Sequence, residues 1–212
     1  MSRKRRALES RRAFLRMCPP MLASFVLVTC SRRSAGQVDS ATNLSAQERS
    51  PTPACGDDGP TPPMTAGPFY TPDSPERASL LEPGMAGTPM VVTGQILSLS
   101  CTPIANALVD FWHTNEQGEY DNSGYTLRGH QFTDAAGRYR LETIVPGIYP
   151  GRTRHFHVKV QAANQPVLTT QLYFPAEPLN AGDFLFRPEL LMSVQDTNNG
   201  KQATFDFTLE IG

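Results

Sequence analysis

The sequence predicts an all-β fold, a single-domain antiparallel β-sandwich. Three features carry that expectation: short runs rich in Val, Ile, Thr, Phe and Tyr, Pro and Gly punctuation between them, and no long segment with a 3.6-residue apolar period. Pro83-Gly84 precedes a first run at 90–99, and the Leu108, Val109, Phe111 and Trp112 side chains mark a second at 107–113. A third, at 130–134, is separated by Ala136-Gly137 from a fourth at 138–145, which Pro146-Gly147 ends. Runs at 154–162 and 167–174 follow, and Asn198-Asn199-Gly200 introduces a last one at 203–211. There Ala203, Phe205, Phe207 and Leu209 share one face. Strands of this length and spacing suit two packed sheets, and no internal repeat is present.

The 212 residues suit one domain with some length left over. The formal net charge of −1 hides an uneven distribution: residues 1–36 hold nine basic residues and a single acid, Glu9. The remainder carries 10 basic and 19 acidic residues, a balance that argues against a nucleic-acid partner. The basic start reads as an address. Ser10-Arg11-Arg12-Ala13-Phe14-Leu15-Arg16 resembles a twin-arginine export signal, and the apolar stretch 17–29, interrupted by Pro19 and Pro20, follows it. That stretch is shorter than the roughly 20 apolar residues a membrane span requires, so a stable span is not expected. Residues 1–36 are therefore read as a signal region, 37–63 as a Ser-, Pro- and Thr-rich linker, and 64–212 as the domain. Export would deliver a periplasmic or extracellular protein, with lipidation at Cys30 an alternative to simple cleavage. Of the four cysteines, Cys55 and Cys101 lie beyond the signal region and form a natural disulfide pair in an exported domain.

The sharpest local feature is His155-Phe156-His157 inside the run at 154–162. In a strand, side chains two apart point to one face, about 6.7 Å apart along the chain. Two imidazoles can then converge on one metal ion, while Phe156, Val158 and Val160 pack the other way. The residues after the pair contain no acid before Asn164, which weakens the two-His, one-carboxylate iron(II) pattern. Tyr120 and Tyr149 lie upstream at turn-like positions. A phenol ordinarily ionises near pH 10, but a hard trivalent cation can hold it as phenolate at neutral pH. His113 and His130 are read as structural histidines, and Phe111, Trp112 and Phe174 as core aromatics.

A series of ordered motifs then resembles the intradiol ring-cleavage dioxygenases, the family of the catechol and protocatechuate 3,4-dioxygenases. It runs from Gly67-Pro68-Phe69-Tyr70 through the Trp112 strand to Gly118-Glu119-Tyr120 and Arg128-Gly129-His130. Gly137-Arg138-Tyr139, Pro146-Gly147-Ile148-Tyr149-Pro150, the His pair and Thr170-Gln171-Leu172-Tyr173-Phe174 complete it. The resemblance implies a β-sandwich with iron at one end, an Fe(III) cofactor, and Tyr120, Tyr149, His155 and His157 as its ligands. It further implies Arg152 as a charge-stabilising cation, Gln171 as a hydrogen-bonding residue, and Tyr149 as the phenolate that leaves the metal and accepts a substrate proton. The substrates would be O2 and a catechol-type small molecule, opened to a cis,cis-muconate-type diacid. One departure is visible. The family commonly has Arg-Pro-Ala-His where this chain has Arg152-Thr153-Arg154-His155, so Arg154 is an alternative catalytic arginine. Two other readings stand beside this one: a non-catalytic binding module of the same fold, and a divalent-metal enzyme using the His pair with a carboxylate such as Asp134. The substituents on the ring and the oligomeric state are not specified by any residue pattern.

Overall fold

The computed structural model of the chain describes residues 59–211; the expected signal region, Cys55 and most of the expected linker lie outside them. Among the described residues the chain forms nine strands and two short 3-10 turns: β1 Pro89–Ser98, β2 Leu108–Trp112, β3 Arg128–Phe132, β4 Arg138–Ile144, β5 His155–Gln161, β6 Leu168–Tyr173, the 3-10 turns Pro178–Ala181 and Pro188–Leu190, then β7 Ser193–Thr197, β8 Gly200–Thr204 and β9 Phe207–Leu209. One sheet has the order β4-β1-β8-β7, with β9 also pairing β1; the other has the order β3-β2-β5-β6. The expected two-sheet, all-β architecture is present. No helix among the described residues is long and apolar enough to cross a membrane.

The core lies between the sheets. Val109 and Phe111 of β2 and Phe156, Val158 and Val160 of β5 are fully buried, as are Val92 of β1, Leu141 of β4 and Phe207 of β9. Alternation along β5 places Phe156, Val158 and Val160 inward as anticipated. Removing an aromatic side chain such as Phe111 from such an interior costs about 3–5 kcal/mol.

Three expectations are refined. The β3-β2-β5-β6 sheet is wholly antiparallel, but β1 pairs β8 and β9 in parallel, so the other sheet is mixed. The single run expected at 203–211 is two strands, pairing successive halves of β1. The break occurs where Phe205 N donates to Thr93 O (3.0 Å) and Gln95 N donates to Asp206 Oδ1 (2.8 Å). Gly94 permits this approach, because a Cβ there would lie 1.8 Å from the Phe205 carbonyl oxygen. The Tyr139 hydroxyl then donates to the same carbonyl (2.7 Å). Strand β7 was missed because it is a mostly exposed edge of sequence SVQDT with no apolar alternation. Its pairing to β8 encloses Asn198-Asn199, the punctuation visible in the sequence.

The last residues of the expected linker belong to the folded unit. Thr61 N donates to Thr208 O (2.9 Å), and Thr170 Oγ1 donates to Pro62 O (2.8 Å). From there residues 61–80 run along the outer side of the β3-β2-β5-β6 sheet. Met64 N bonds Thr169 O on the β6 edge, and Arg77 N bonds His130 O on the β3 edge. This strap gives the sheet's outward face a second cover, so polar residues there are buried without belonging to the apolar core.

His113 has the structural role expected of it. Its Nδ1 lies 2.8 Å from Thr114 O and its Nε2 2.7 Å from Thr143 Oγ1, tying the end of β2 to β4. A carbonyl only accepts, so Nδ1 carries the proton and Nε2 accepts from Thr143. Burial pushes this imidazole down to about 3. An unfolded histidine titrates near 6.5, so below that pH the unfolded chain binds a proton that the native state refuses. Stability therefore falls as pH drops from about 6.5 towards 3, by up to about 1.4 kcal/mol per pH unit for this group. His113→Gln should flatten the stability-versus-pH curve between pH 6.5 and 5, read by urea unfolding. An unchanged slope contradicts this account of His113.

Candidate metal centre

The outward face of β5 holds His155 and His157, only 5% and 3% exposed. Cross-strand pairing places Trp112 and Gln171 on either side of His157, and Tyr173 beside His155. Direct partners in an antiparallel ladder share a face, so one row of the sheet presents Trp112, His157 and Gln171 together. Trp112, expected in the core, is instead stacked on the His157 ring, with centroids 4.9 Å apart and planes 5° apart. Tyr70 of the strap packs on the indole, with ring centroids 4.8 Å apart. Phe111 and Phe174 do belong to the core. His130 bonds Ser74 Oγ through Nδ1 (3.2 Å).

Two loops bring the tyrosines to this row. After β2, the Asn115 side chain accepts from Gln117 N (3.0 Å) and Glu119 N (2.9 Å), closing a tight turn. Gly118 at its apex has φ +87°, and a Cβ there would meet the Ile148 carbonyl oxygen at 2.2 Å. A glycine is required for that close approach. Thr114 Oγ1 donates to Gly147 O (2.8 Å) and Gly147 N to Asn115 O (2.7 Å), completing the contact between the loops. Tyr120 and Tyr149 are thereby held with ring centroids 5.8 Å apart. Phe69 stacks on Tyr120 at 4.6 Å and meets Tyr149 edge-on at 5.3 Å.

The donor atoms converge. His155 Nδ1 is 2.7 Å from Thr153 O, which makes it the protonated nitrogen and leaves Nε2 a bare lone pair. That Nε2 lies 3.1 Å from His157 Nε2 and 3.5 Å from the Tyr120 hydroxyl. With metal–nitrogen bonds of about 2.1 Å, the nitrogen separation corresponds to roughly right-angled donors on one ion. Burial pushes His155 down to about 4 and His157 well below its ordinary value, so both rings are neutral, the form that ligates. Burial also raises the Tyr120 phenol, with Arg152 and Arg128 offsetting part of the rise. The donor set therefore suits a hard cation that supplies the positive charge a buried phenolate needs. Among the described residues no group of three or more His, Cys, Asp and Glu side chains is placed to hold a metal. Asp134, the carboxylate of the divalent-metal reading, sits instead in the β3–β4 turn, paired with Arg138 at 2.9 Å.

The two candidate arginines diverge. Arg152 Nη2 donates to Gln171 Oε1 (2.7 Å) and, at 3.4 Å, to the Tyr173 hydroxyl, while its Nε donates to Asp183 Oδ2 (2.9 Å). Gln171 is oriented in turn, donating through Nε2 to Thr65 O (2.9 Å) and accepting from the Tyr173 hydroxyl (2.8 Å). Arg154 pairs with Glu177 at 2.6 Å and donates to Pro146 O. It lines a cleft of about 700 Å³ with Glu116, Asp196 and Lys201. Arg152 thus shares the polar network of the His row, and Arg154 does not. Sequence reasoning overlooked Asp183, Tyr173 and Arg128. Arg128 is 1% exposed and chelates the Asp121 carbonyl beside Tyr120 through Nε (3.1 Å) and Nη2 (2.7 Å). Tyr173 and Arg128 stood inside recognised motifs, but Asp183 lies in an irregular stretch with no local pattern.

Fold and site together define a β-sandwich protein in which His155, His157 and the Tyr120 hydroxyl converge, with the Tyr149 ring beside Tyr120, on the outward face of one sheet. Residues 65–211 match the family model described as Dioxygenase, and the chain belongs to the intradiol ring-cleavage dioxygenase family. It is 32% identical over 150 residues to the protocatechuate 3,4-dioxygenase beta chain of Burkholderia cepacia, covering 58% of this chain and 64% of that one. With hydroxyquinol 1,2-dioxygenase of Rhizobium sp. (strain MTP-10005) it shares 30% identity over 166 residues, 65% of this chain and 56% of that one. These curated relatives are longer, and the chain spans less than two thirds of each. Among solved structures it is similar to the dioxygenase domain of a dioxygenase and carbohydrate-binding fusion from the cellulolytic bacterium Streptomyces sp. SirexAA-E. There the identity is 52% and the TM-score 0.71, over 72% of this chain and 99% of that one.

The divergence of the arginines generates a direct comparison. Were this cluster to turn over a catechol, Arg152→Gln should lower that turnover by about 100-fold, on the scale of losing one charge-stabilising donor. Arg154→Gln should stay within about threefold of the parent, as for a partly exposed ion pair remote from the chemistry. Steady-state O2 uptake measures both, and the reverse ranking would reassign the arginine.

Proposed function

We propose that this chain opens a catechol-type ring with O2 between its two hydroxylated carbons, giving a cis,cis-muconate-type diacid, at an Fe(III) ion held by Tyr120, Tyr149, His155 and His157. The single observation that carries the reading is the convergence of two neutral imidazole Nε2 atoms, 3.1 Å apart, with the Tyr120 hydroxyl at 3.5 Å. Among the described residues no His, Cys, Asp or Glu joins the His pair in a group of three placed to hold a metal, which disfavours a divalent-metal site of the His-His-carboxylate type. When bound, Fe(III) would supply the charge that ionises the phenols of Tyr120 and Tyr149 and would make a catechol reactive towards O2.

The chain's own residues supply the remainder. Tyr149, on the loop 146–150, accepts the proton of a substrate hydroxyl at its phenolate oxygen. Arg152, already oriented by Gln171, presents a fixed cation to the negative charge that develops on the substrate oxygen. Gln171 has its oxygen occupied and one amide hydrogen given to Thr65, so a single N–H is left to orient oxygen-derived groups. Phe69, Trp112 and the strap at Gly67, where a Cβ would lie 3.4 Å from His157 Cε1, keep water from the far side of the ligand rings. The names of the curated relatives, protocatechuate and hydroxyquinol dioxygenases, support a substituted catechol as the substrate class.

Export through a twin-arginine-type signal and a Cys55–Cys101 disulfide are part of the same proposal. Arg11→Lys with Arg12→Lys should abolish export, and normal export of that variant counts against the signal assignment. A bond between Cys55 and Cys101 would close a loop of about 45 residues, stabilising by roughly 3–4 kcal/mol. Non-reducing alkylation that labels both cysteines refutes it.

The reaction is tested by product analysis. Iron-loaded protein should show a visible phenolate-to-iron band that Tyr120→Phe shifts or weakens. With catechol under labelled O2, mass spectrometry should find both oxygen atoms in the diacid when exchange with water is slow. A semialdehyde product overturns the intradiol assignment, and iron-loaded protein without colour overturns the ligand set.

A further inference from the structure

We propose that Asp183 is a positioning residue for the ring-cleaving chemistry, using one carboxylate oxygen to aim Arg152 and to hold the peptide that orients His155. The inference rests on the proposed function for its kinetic consequences, while its structural part stands on the geometry alone.

Asp183 follows the 3-10 turn Pro178–Ala181 and lies outside every recognised motif, about 30 residues along the chain from Arg152 and Thr153. Its side chain is 1% exposed and that of Arg152 is 14% exposed. Oδ2 accepts from Arg152 Nε at 2.9 Å and from Thr153 N at 2.8 Å, while Oδ1 accepts from Leu185 N at 2.9 Å. Burial alone would raise this carboxyl, but the Thr153 and Leu185 N–H groups and the Arg152 guanidinium outweigh it and hold it below the usual carboxylate range. It is therefore anionic at neutral pH.

The consequences run in two directions from Oδ2. A guanidinium has five N–H donors in a rigid fork. Anchoring Nε fixes the guanidinium plane in which Nη2 donates to Gln171 Oε1 and, at 3.4 Å, to the Tyr173 hydroxyl. The second direction is through the backbone: the Thr153 peptide donates its N–H to Asp183, and its carbonyl accepts from His155 Nδ1 at 2.7 Å. That carbonyl sets the tautomer that frees His155 Nε2. Asn180 secures the same junction, accepting from Thr153 Oγ1 at 2.7 Å and donating to Phe174 O at 2.9 Å. One irregular segment thus couples the cation to a donor of the metal centre. Partners that orient such groups typically cost about 10- to 100-fold in activity or metal affinity when removed.

The test compares Asp183→Asn, Asp183→Ala, Arg152→Gln and the double Asp183→Asn, Arg152→Gln variant of the iron-loaded full chain. The amide of Asp183→Asn still accepts from Thr153 N but no longer carries charge. It should lower kcat about 10- to 100-fold, with KM and the visible band nearly unchanged, and it should lower the thermal midpoint because the Arg152 charge is left without its buried partner. The double variant should be no slower than Arg152→Gln alone, because both changes remove one unit. Asp183→Ala should in addition lose iron more readily to a chelator, since Thr153 loses its acceptor. Independently of turnover, the Arg152 Nε–H resonance should be protected from solvent exchange in the parent and exposed in Asp183→Ala, which removes the oxygen that Arg152 Nε and Thr153 N share. Wild-type kcat in Asp183→Asn, additive losses in the double variant, or an equally protected Arg152 Nε–H overturns the proposal. A parent that turns over no catechol, yet shows the protection difference, counts against the proposed function and leaves the positioning intact.

Discussion

The two-residue period of β5 governs the rest of the molecule. Phe156, Val158 and Val160 must face the opposing sheet to build the interior, so His155 and His157 are forced together onto the outward face. An imidazole pair on an open face would be solvated and mobile. Here the strap 61–80, the Tyr120 and Tyr149 loops and the stretch around Asp183 are each hydrogen-bonded over that face. The site is consequently a second, polar interior on the far side of the sheet from the apolar one. Its rigidity comes from backbone ladders and loop-to-loop bonds.

Burial of this polar layer decides its electrostatics. Desolvation favours neutral forms, so it lowers the histidines and raises the Tyr120 phenol. Under the proposed function, a cation held here would offset the penalty on the Tyr120 phenol and use the unprotonated histidine nitrogens. Arg152 and Arg128 lower the cost of negative charge at Tyr120 from outside the donor set. Their own positions are secured by different means. Arg128 is held by a backbone carbonyl, whereas Arg152 is held by a buried carboxylate at 2.9 Å. A buried charge pair of this kind is costly to break, because either partner left alone is stranded away from water.

The glycine contact between the two tyrosine loops has the same organising character. Gly118 and Gly147 let backbone meet backbone where any Cβ would collide, and the two phenol rings arrive at one place as a result. Phe69 then fills the angle between them, which explains why the strap carries an aromatic residue directly after Pro68.

Local pattern sufficed for most of the strands, for the direction of the His pair and for the tyrosines of the recognised motifs. Alternation and turn residues are short-range properties, and a side chain's face follows from its parity along the strand. Other features escaped because they depend on residues far apart in sequence. Strand β7 has no apolar face to announce it, and the division of 203–211 follows from Gly94 meeting the Phe205 carbonyl. Trp112 reads as an ordinary core aromatic until the β2–β5 register places it flat against His157. Arg152 and Arg154 are two apart on adjoining chain, and only the position of Asp183 and Gln171 on one side and Glu177 on the other separates them. The sequence alone determined which chemical groups are present and which face of β5 they occupy, because those follow from residue type and a period of two. Tertiary structure decided which of them meet and what orients each one, because hydrogen bonds across some 30 residues of intervening chain have no local signature.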